Sequence, residues 1–177
     1  MRALWSQGET TFEGSHYTVR GARCDPRPVL SPNIIIGGGS KRILTVAAEQ
    51  ADTVGVSTSR ASEEKDGDQA NKATLDHFDR CLSWVRAAAG DRFVALELQI
   101  TASAMVVSSR RAAARSATML GFPGEEALDL PILLIGTEDE ICERLFERRE
   151  RWGFNNVVVP GESMESFAPI VARMAGL

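Results

Sequence analysis

The run Ile34-Ile35-Ile36-Gly37-Gly38-Gly39-Ser40 constrains the fold of this chain more than any other segment. Three consecutive β-branched residues are stiff at χ1 and favour a strand over a helix. Their unbroken apolar character suits a strand buried on both faces, as in a parallel sheet. The three glycines then end that strand, and Ser40 stands where a helix N-cap belongs. Ile43, Leu44, Ala47, Ala48 and Ala51 fall on one face of the helix opened by Ser40.

The same alternation continues along the chain. Thr53–Val56 reads as a short strand and Ala61–Gln69 as a polar loop. Leu75, Phe78, Leu82, Val85 and Ala89 recur at helical spacing until Gly90 stops the helix. Phe93–Val107 leans towards β structure, with Leu96–Thr101 its core. Ser109–Leu120 reads as a helix and Gly121–Asp129 as a loop. Thr137 and Glu140 have capping-box spacing, and Ile141, Leu145, Arg148 and Trp152 share one face of the helix they open. Gly153 closes it. Val157-Val158-Val159 is a further buried strand, and Met164, Phe167, Ala168, Val171 and Met174 line a last helix. The order is strand, helix, strand, helix, strand, helix, inserted helix, strand, helix. This predicts right-handed βαβ units on a parallel sheet over residues 33–177. Residues 1–32 read as a hairpin and extended segment: Thr10-Thr11-Phe12 and His16–Val19 flank the turn Glu13-Gly14-Ser15, and Pro26, Pro28 and Pro32 force an extended connector after the hairpin. Together they predict one α/β domain.

Composition narrows the function. The chain has 177 residues and a formal net charge of -4, so it lacks the basic footprint of a nucleic-acid or anionic-membrane binder. Cys24, Cys81 and Cys142 are an odd, widely spaced set that makes neither a disulfide framework nor a zinc signature and fits a reducing cytosol. His16 and His77 stand far apart, so no metal site is expected. The first residues carry no apolar stretch of about 7–15 residues, so no signal peptide is expected. No apolar run approaches the roughly 18 residues that span a bilayer. The expectation is a soluble cytoplasmic protein.

Two architectures fit the alternation. In a doubly wound sheet the glycines would form the first nucleotide turn, but the fingerprint G-x-G-x-x-G needs glycine where Arg42 stands. The Walker A order fails too, because Lys41 follows Ser40 directly. A β/α barrel, or part of one, remains; there a glycine turn ahead of a helix is a common phosphate site. Glycine lets backbone N–H groups approach a ligand, and a helix start adds orphan donors and a positive dipole end. Lys41 and Arg42 oppose that dipole by a few tenths to about 1 kcal/mol. A bound phosphate removes the conflict. The alternative is a tight turn whose two cations simply face solvent.

The segments Leu4-Trp5 through Phe12-Glu13-Gly14-Ser15-His16-Tyr17, Pro26-Arg27-Pro28, Ile34 to Ser40 and Ala47-Ala48-Glu49-Gln50-Ala51-Asp52 resemble the luciferase-like monooxygenase family, most closely its coenzyme F420-dependent oxidoreductases. Leu134-Ile135-Gly136-Thr137, Gly153, Val157-Val158-Val159 and Met164 to Pro169 agree. The family fold is a (β/α)8 TIM barrel, and the resemblance is to its C-terminal half with the inserted hairpin ahead of it. It implies hydride transfer between F420 and an organic small-molecule substrate, with FMN as the alternative cofactor and weak or no activity in this half alone. It implies a cofactor-phosphate turn at Gly37, Gly38, Gly39 and Ser40. The catalytic residues would lie largely in the other half, so none is assigned. Two partners are expected for such a half-barrel, a second copy or an N-terminal half. A non-catalytic barrel fragment that binds a phosphate-bearing ligand or a partner chain is the rival reading.

Among other candidates, Ser57 and Thr58 follow a strand and would sit on the catalytic face of a barrel. Thr101 and Ser103 have the same claim more weakly. Glu97 and Gln99 alternate with apolar neighbours and could face the lumen. His16 lies in the hairpin beside Tyr17, where packing is the simpler role. His77, between Asp76 and Phe78, reads as a solvated helix residue. Arg148, Arg149 and Arg151 with Glu147 and Glu150 read as a solvated charged face. Cys142 reads as core filler.

Overall fold

The computed structural model describes residues 1–58 and 74–176, so the loop expected over Ala61–Gln69 lies outside the described residues. The chain forms two compact units, Met1–Asn33 and Ile34–Leu177. In the first, a short helix α1 (Arg2–Ser6) precedes an antiparallel hairpin of β1 (Thr10–Glu13) and β2 (Thr18–Ala22). Its turn closes where Gly14 N–H donates to the Tyr17 carbonyl at 2.9 Å. His16 and Tyr17 are both exposed.

The second unit is built on four parallel strands: β3 (Ile35–Gly38), β4 (Thr53–Val56), β5 (Glu97–Thr101) and β8 (Asn156–Val158), in the sheet order β3-β4-β5-β8. Within this sheet the strand order never reverses. Right-handed crossovers that always advance in one direction put their helices on one face, as in a barrel wall. A doubly wound sheet reverses and covers both faces. Here α2 (Lys41–Gln50), α3 (Leu75–Ala89) and the end of α5 (Glu138–Trp152) share one core with the sheet. Leu44, Ala47 and Ala48 of α2 and Phe78, Cys81, Leu82 and Val85 of α3 pack on Val54, Val56, Leu98 and Ile100.

The expected strand Leu96–Thr101 is confirmed, but the β-leaning stretch breaks at Ala102. Beyond it β6 (Ser103–Val106) pairs in parallel with β7 (Leu133–Gly136), a strand not legible in the sequence. α4 (Arg110–Met119) and a 3₁₀ turn at Glu125–Asp129 cover that pair on one side. The helices α5 and α6 (Met164–Met174) pack with Ala104 and Leu134 in a third cluster. α5 opens on the capping box read from the sequence, with Thr137 Oγ1 accepting from Glu140 N–H and Glu140 Oε2 accepting from Thr137 N–H. It ends at Gly153, whose φ of 83° is left-handed and favours glycine.

Several expectations need correction. β3 is not buried on both faces: Ile35 is 56% exposed and only Ile36 reaches the core. β3 is an edge strand of its sheet, and both of its residues on the face away from the helices, Ile35 and Gly37, are exposed, so the β-branched run reflects strand propensity rather than two-sided burial. In α6 the inward residues are Phe167 and Ile170, while Met164 and Val171 are exposed. Arg148 is not on a solvated face. It is buried, and its guanidinium donates to the carbonyls of Pro131 (3.1 Å), Leu128 (3.4 Å), Leu130 (2.8 Å) and Leu133 (2.7 Å). Arg144, also buried, donates to Ile135 at 2.7 Å. Burial, with the charge of Arg144 second, pushes Arg148 down to about 9, so it is still charged at neutral pH.

α3 and α5 are tied by Asp79, which accepts from Arg151 at 2.7 Å and from Trp152 Nε1 at 2.6 Å. The Arg151 guanidinium holds the Asp79 carboxyl below its ordinary value of 3.8. A lowered folded value means that this stabilisation is present above the ordinary carboxylate range and fades as pH falls through the folded value. Asp79→Ala leaves the indole N–H without its acceptor and should cost about 1–2 kcal/mol, read as a shift of the urea midpoint. An unshifted midpoint would show that the clasp is decorative.

Candidate functional site

The parallel sheet places the exits of β3 and β4 side by side at its carboxyl edge. Gly37 and Gly38 lie inside β3, paired with Gly55 and Val56, so the turn itself is only Gly39 and Ser40. Glycine at position 38 lets the strand pass close to the start of α2: a Cβ there would sit 2.6 Å from Ile43 Cγ2. Gly39 is buried and Ser40 exposed. Ser40 is the N-cap of α2 in extended geometry, yet its hydroxyl makes no capping hydrogen bond. The first-turn N–H groups therefore keep the unmet donor capacity of a helix start. No acidic residue sits in that turn, and Lys41 and Arg42 are both exposed in it.

Ser57 is bound directly to this turn, its N–H donating to the Gly38 carbonyl at 3.0 Å. Its side chain is exposed, and that of Thr58 is partly buried. The structure thus brings Gly38, Gly39, Ser40, Ser57 and Thr58 to one edge, while Gly37 opens onto the face of the sheet.

Beneath the two exits lies a pair formed by His77 and Cys81. His77 is not solvated; it is 8% exposed, and Nε2 lies 3.1 Å from the Ser57 carbonyl and 3.4 Å from Cys81 Sγ. Cys81 Sγ lies 3.7 Å from the Gly39 carbonyl, and burial pushes its thiol up to about 11. The available signal was the four-residue spacing of His77 and Cys81, which puts them on one helix face with Val85.

The face of the sheet away from the helices carries two in-register rows. One runs Ile35, Thr53 and Glu97, with Thr53 Oγ1 donating to Glu97 Oε2 at 2.6 Å. The other runs Gly37, Gly55, Gln99 and Asn156 across all four strands. Two glycines leave bare backbone there, and Gln99 Oε1 lies 3.5 Å from where a Cβ of Gly55 would stand. Glu97 and Gln99 do face this side, as their alternation suggested. Thr101 is exposed beside Val158, and Ser103 is exposed on β6, away from the turn. His16 belongs to the hairpin unit. Among the described residues no three His, Cys, Asp or Glu gather as a metal site, and no helix is long and apolar enough to cross a membrane.

An advancing parallel β/α sheet with a glycine–serine helix start at its carboxyl edge is the arrangement of part of a β/α barrel. The luciferase-like monooxygenase family model matches residues 1–156, and the chain belongs to that family. Similar solved structures include a long-chain alkane monooxygenase, with a TM-score of 0.64 and 14% identity over 94% of this chain and 47% of that one. An F420-dependent secondary alcohol dehydrogenase in complex with an F420–acetone adduct gives 0.57 and 14% over 89% and 52%. The oxygenating constituent of 3,6-diketocamphane monooxygenase from Pseudomonas putida, in complex with FMN, gives 0.57 and 14% over 97% and 58%. The chain spans about half the length of these structures. Comparison with curated proteins finds no match.

Proposed function

We propose that this chain forms the cofactor-phosphate side of an oxidoreductase of the luciferase-like type, with coenzyme F420 as its cofactor. The observation that carries the reading is the start of α2. Gly39 and Ser40 leave backbone donors without a side-chain cap, and Lys41 and Arg42 stand where the helix dipole disfavours them. An anion seated there satisfies both. The fit is to a phosphate ester, since the donors are backbone N–H groups and cations only. FMN carries such a group as well, and a neighbour bound to it favours FMN as the second reading.

When bound, either cofactor supplies the hydride or electron chemistry. The residues of this chain bind and orient. Ser40 and the first turn of α2 take the phosphate. Ser57 and Thr58 bring two hydroxyls to the same edge. The bare backbone of Gly37 and Gly55, beside Gln99 and Asn156, offers a flat polar floor for a ring or substrate.

Ser40→Asp tests the turn. Aspartate is at least as good an N-cap as serine, so the fold should hold or gain stability. Its carboxylate would repel a phosphate, and FMN and F420 affinity, followed by fluorescence titration, should each fall about tenfold or more. Unchanged affinity for both would move the cofactor elsewhere.

A further inference from the structure

Beneath the two strand exits, only one of the two neutral tautomers of His77 serves every contact. If His77 carried its proton on Nδ1, its bare Nε2 would face the Ser57 carbonyl at 3.1 Å, two lone pairs opposed. With the proton on Nε2, the ring donates to that carbonyl, and Cys81 Sγ at 3.4 Å takes a second, weaker share. The Cys81 S–H is then free to donate to the Gly39 carbonyl. A buried thiol with its value pushed up to about 11 keeps that proton at neutral pH.

Both carbonyls thus point towards α3. In a trans peptide the C=O and the next N–H point in opposite directions, and the one cis peptide among the described residues is Asp25–Pro26. The N–H groups of Ser40 and Thr58 consequently point away from α3. The peptides just before these two are linked to each other, with Ser57 N–H donating to the Gly38 carbonyl at 3.0 Å.

We propose that His77 and Cys81 are positioning residues for the ligand turn, holding the peptides after β3 and β4 so that the N–H groups of Ser40 and Thr58 face the ligand. This rests on the reading of Gly38–Ser40 as a phosphate turn. Neither side chain touches the ligand; they act through the Gly39 and Ser57 carbonyls. Two residues one helical turn apart on α3 thereby set two separate exits together.

The tautomer is read without any ligand. A long-range ¹H–¹⁵N spectrum of the full chain at neutral pH should show His77 protonated on Nε2, and an Nδ1–H tautomer would overturn the proposal. FMN titration supplies the second reading. His77→Leu should weaken binding about tenfold, while His77→Gln, whose amide nitrogen stands near the place of Nε2, should stay within about threefold of the parent. Thermal midpoints are recorded beside each. Losses that are equal for Leu and Gln, or that merely follow the midpoint, would reduce the pair to ordinary core residues. If His77→Leu does not fold, Cys81→Ala against Cys81→Ser carries the same comparison, weakened binding that the hydroxyl restores. Ser40→Asp run in parallel separates the two ideas. Binding lost there but kept in His77→Leu ends the positioning role alone. Binding untouched in Ser40→Asp, or absent in the parent, ends the phosphate turn and this proposal with it.

Discussion

Replacing Arg148 with methionine is expected to destabilise the chain by about 3–5 kcal/mol, roughly a fifth or more of a typical domain's stability. The guanidinium is the shared donor for four carbonyls between Leu128 and Leu133, the segment that leads into β7. Each buried acceptor left alone costs roughly 1–3 kcal/mol. Part of that is offset, because methionine no longer buries a charge and fills much of the same volume. The net remains large because Leu128, Leu130 and Pro131 precede β7, where no strand ladder supplies replacement donors, although Leu130 keeps the N–H of Leu133. Arg148→Lys separates charge from geometry: one ammonium with three donors cannot reproduce the planar fork, and about 2 kcal/mol or more should still be lost. Urea denaturation reads both. A methionine variant as stable as its parent would show that the segment finds its donors elsewhere.

The strand and helix order was legible because it rests on periodicity and on stop signals carried locally. Gly90 and Gly153 end α3 and α5 where their sequence places them, and Thr137 with Glu140 caps α5 by side chains three residues apart. The illegible part depends on which surface an element meets. Ile34–Ile36 looks the same whether a second layer covers it or not, so its exposed face could not be read. Leu133–Gly136 is four apolar residues running straight into a capping box, too short to part from the helix start. The charged neighbours of His77 and Arg148 in sequence suggest solvated faces, although each stands at helical spacing with buried residues, Cys81 for one and Trp152 for the other. In both cases a backbone carbonyl from another segment makes burial tolerable, and such partners leave no mark in the sequence.

The candidate site shows the same dependence on distant partners. The glycine run was conspicuous, but only Gly39 and Ser40 form the turn, while Gly37 and Gly38 are strand residues paired with β4. The edge is distinguished by a relation between distant segments: Gly38 with Ser57, Gly39 with Cys81, Ser57 with His77. Sequence spacing could nominate the glycines. It could not show that one helix holds both exits.

Purified as residues 1–177, the chain is expected to turn over neither an F420 nor an FMN reaction appreciably faster than the free cofactor. The sheet that carries the site has four strands with β3 and β8 at its edges, and a closed barrel of this type needs about eight. The floor formed by Gly37, Gly55, Gln99 and Asn156 lies on the face away from the helices, and Gly37 on it is exposed. Orientation of reactants is worth about 7–11 kcal/mol in favourable sites, and a ring held by its phosphate alone retains little of it. Binding and turnover should part company, with measurable affinity through the helix start but no rate. Free edges with unpaired N–H and C=O groups also invite a complement, either a second copy or a chain that supplies the remaining strands. Light scattering should accordingly find the polypeptide paired or associating, and mixing it with the complementary strands should raise the rate before it raises the affinity. A monomer that stays dispersed at high concentration and turns over substrate on its own would place the catalytic groups within these residues and end the half-barrel account.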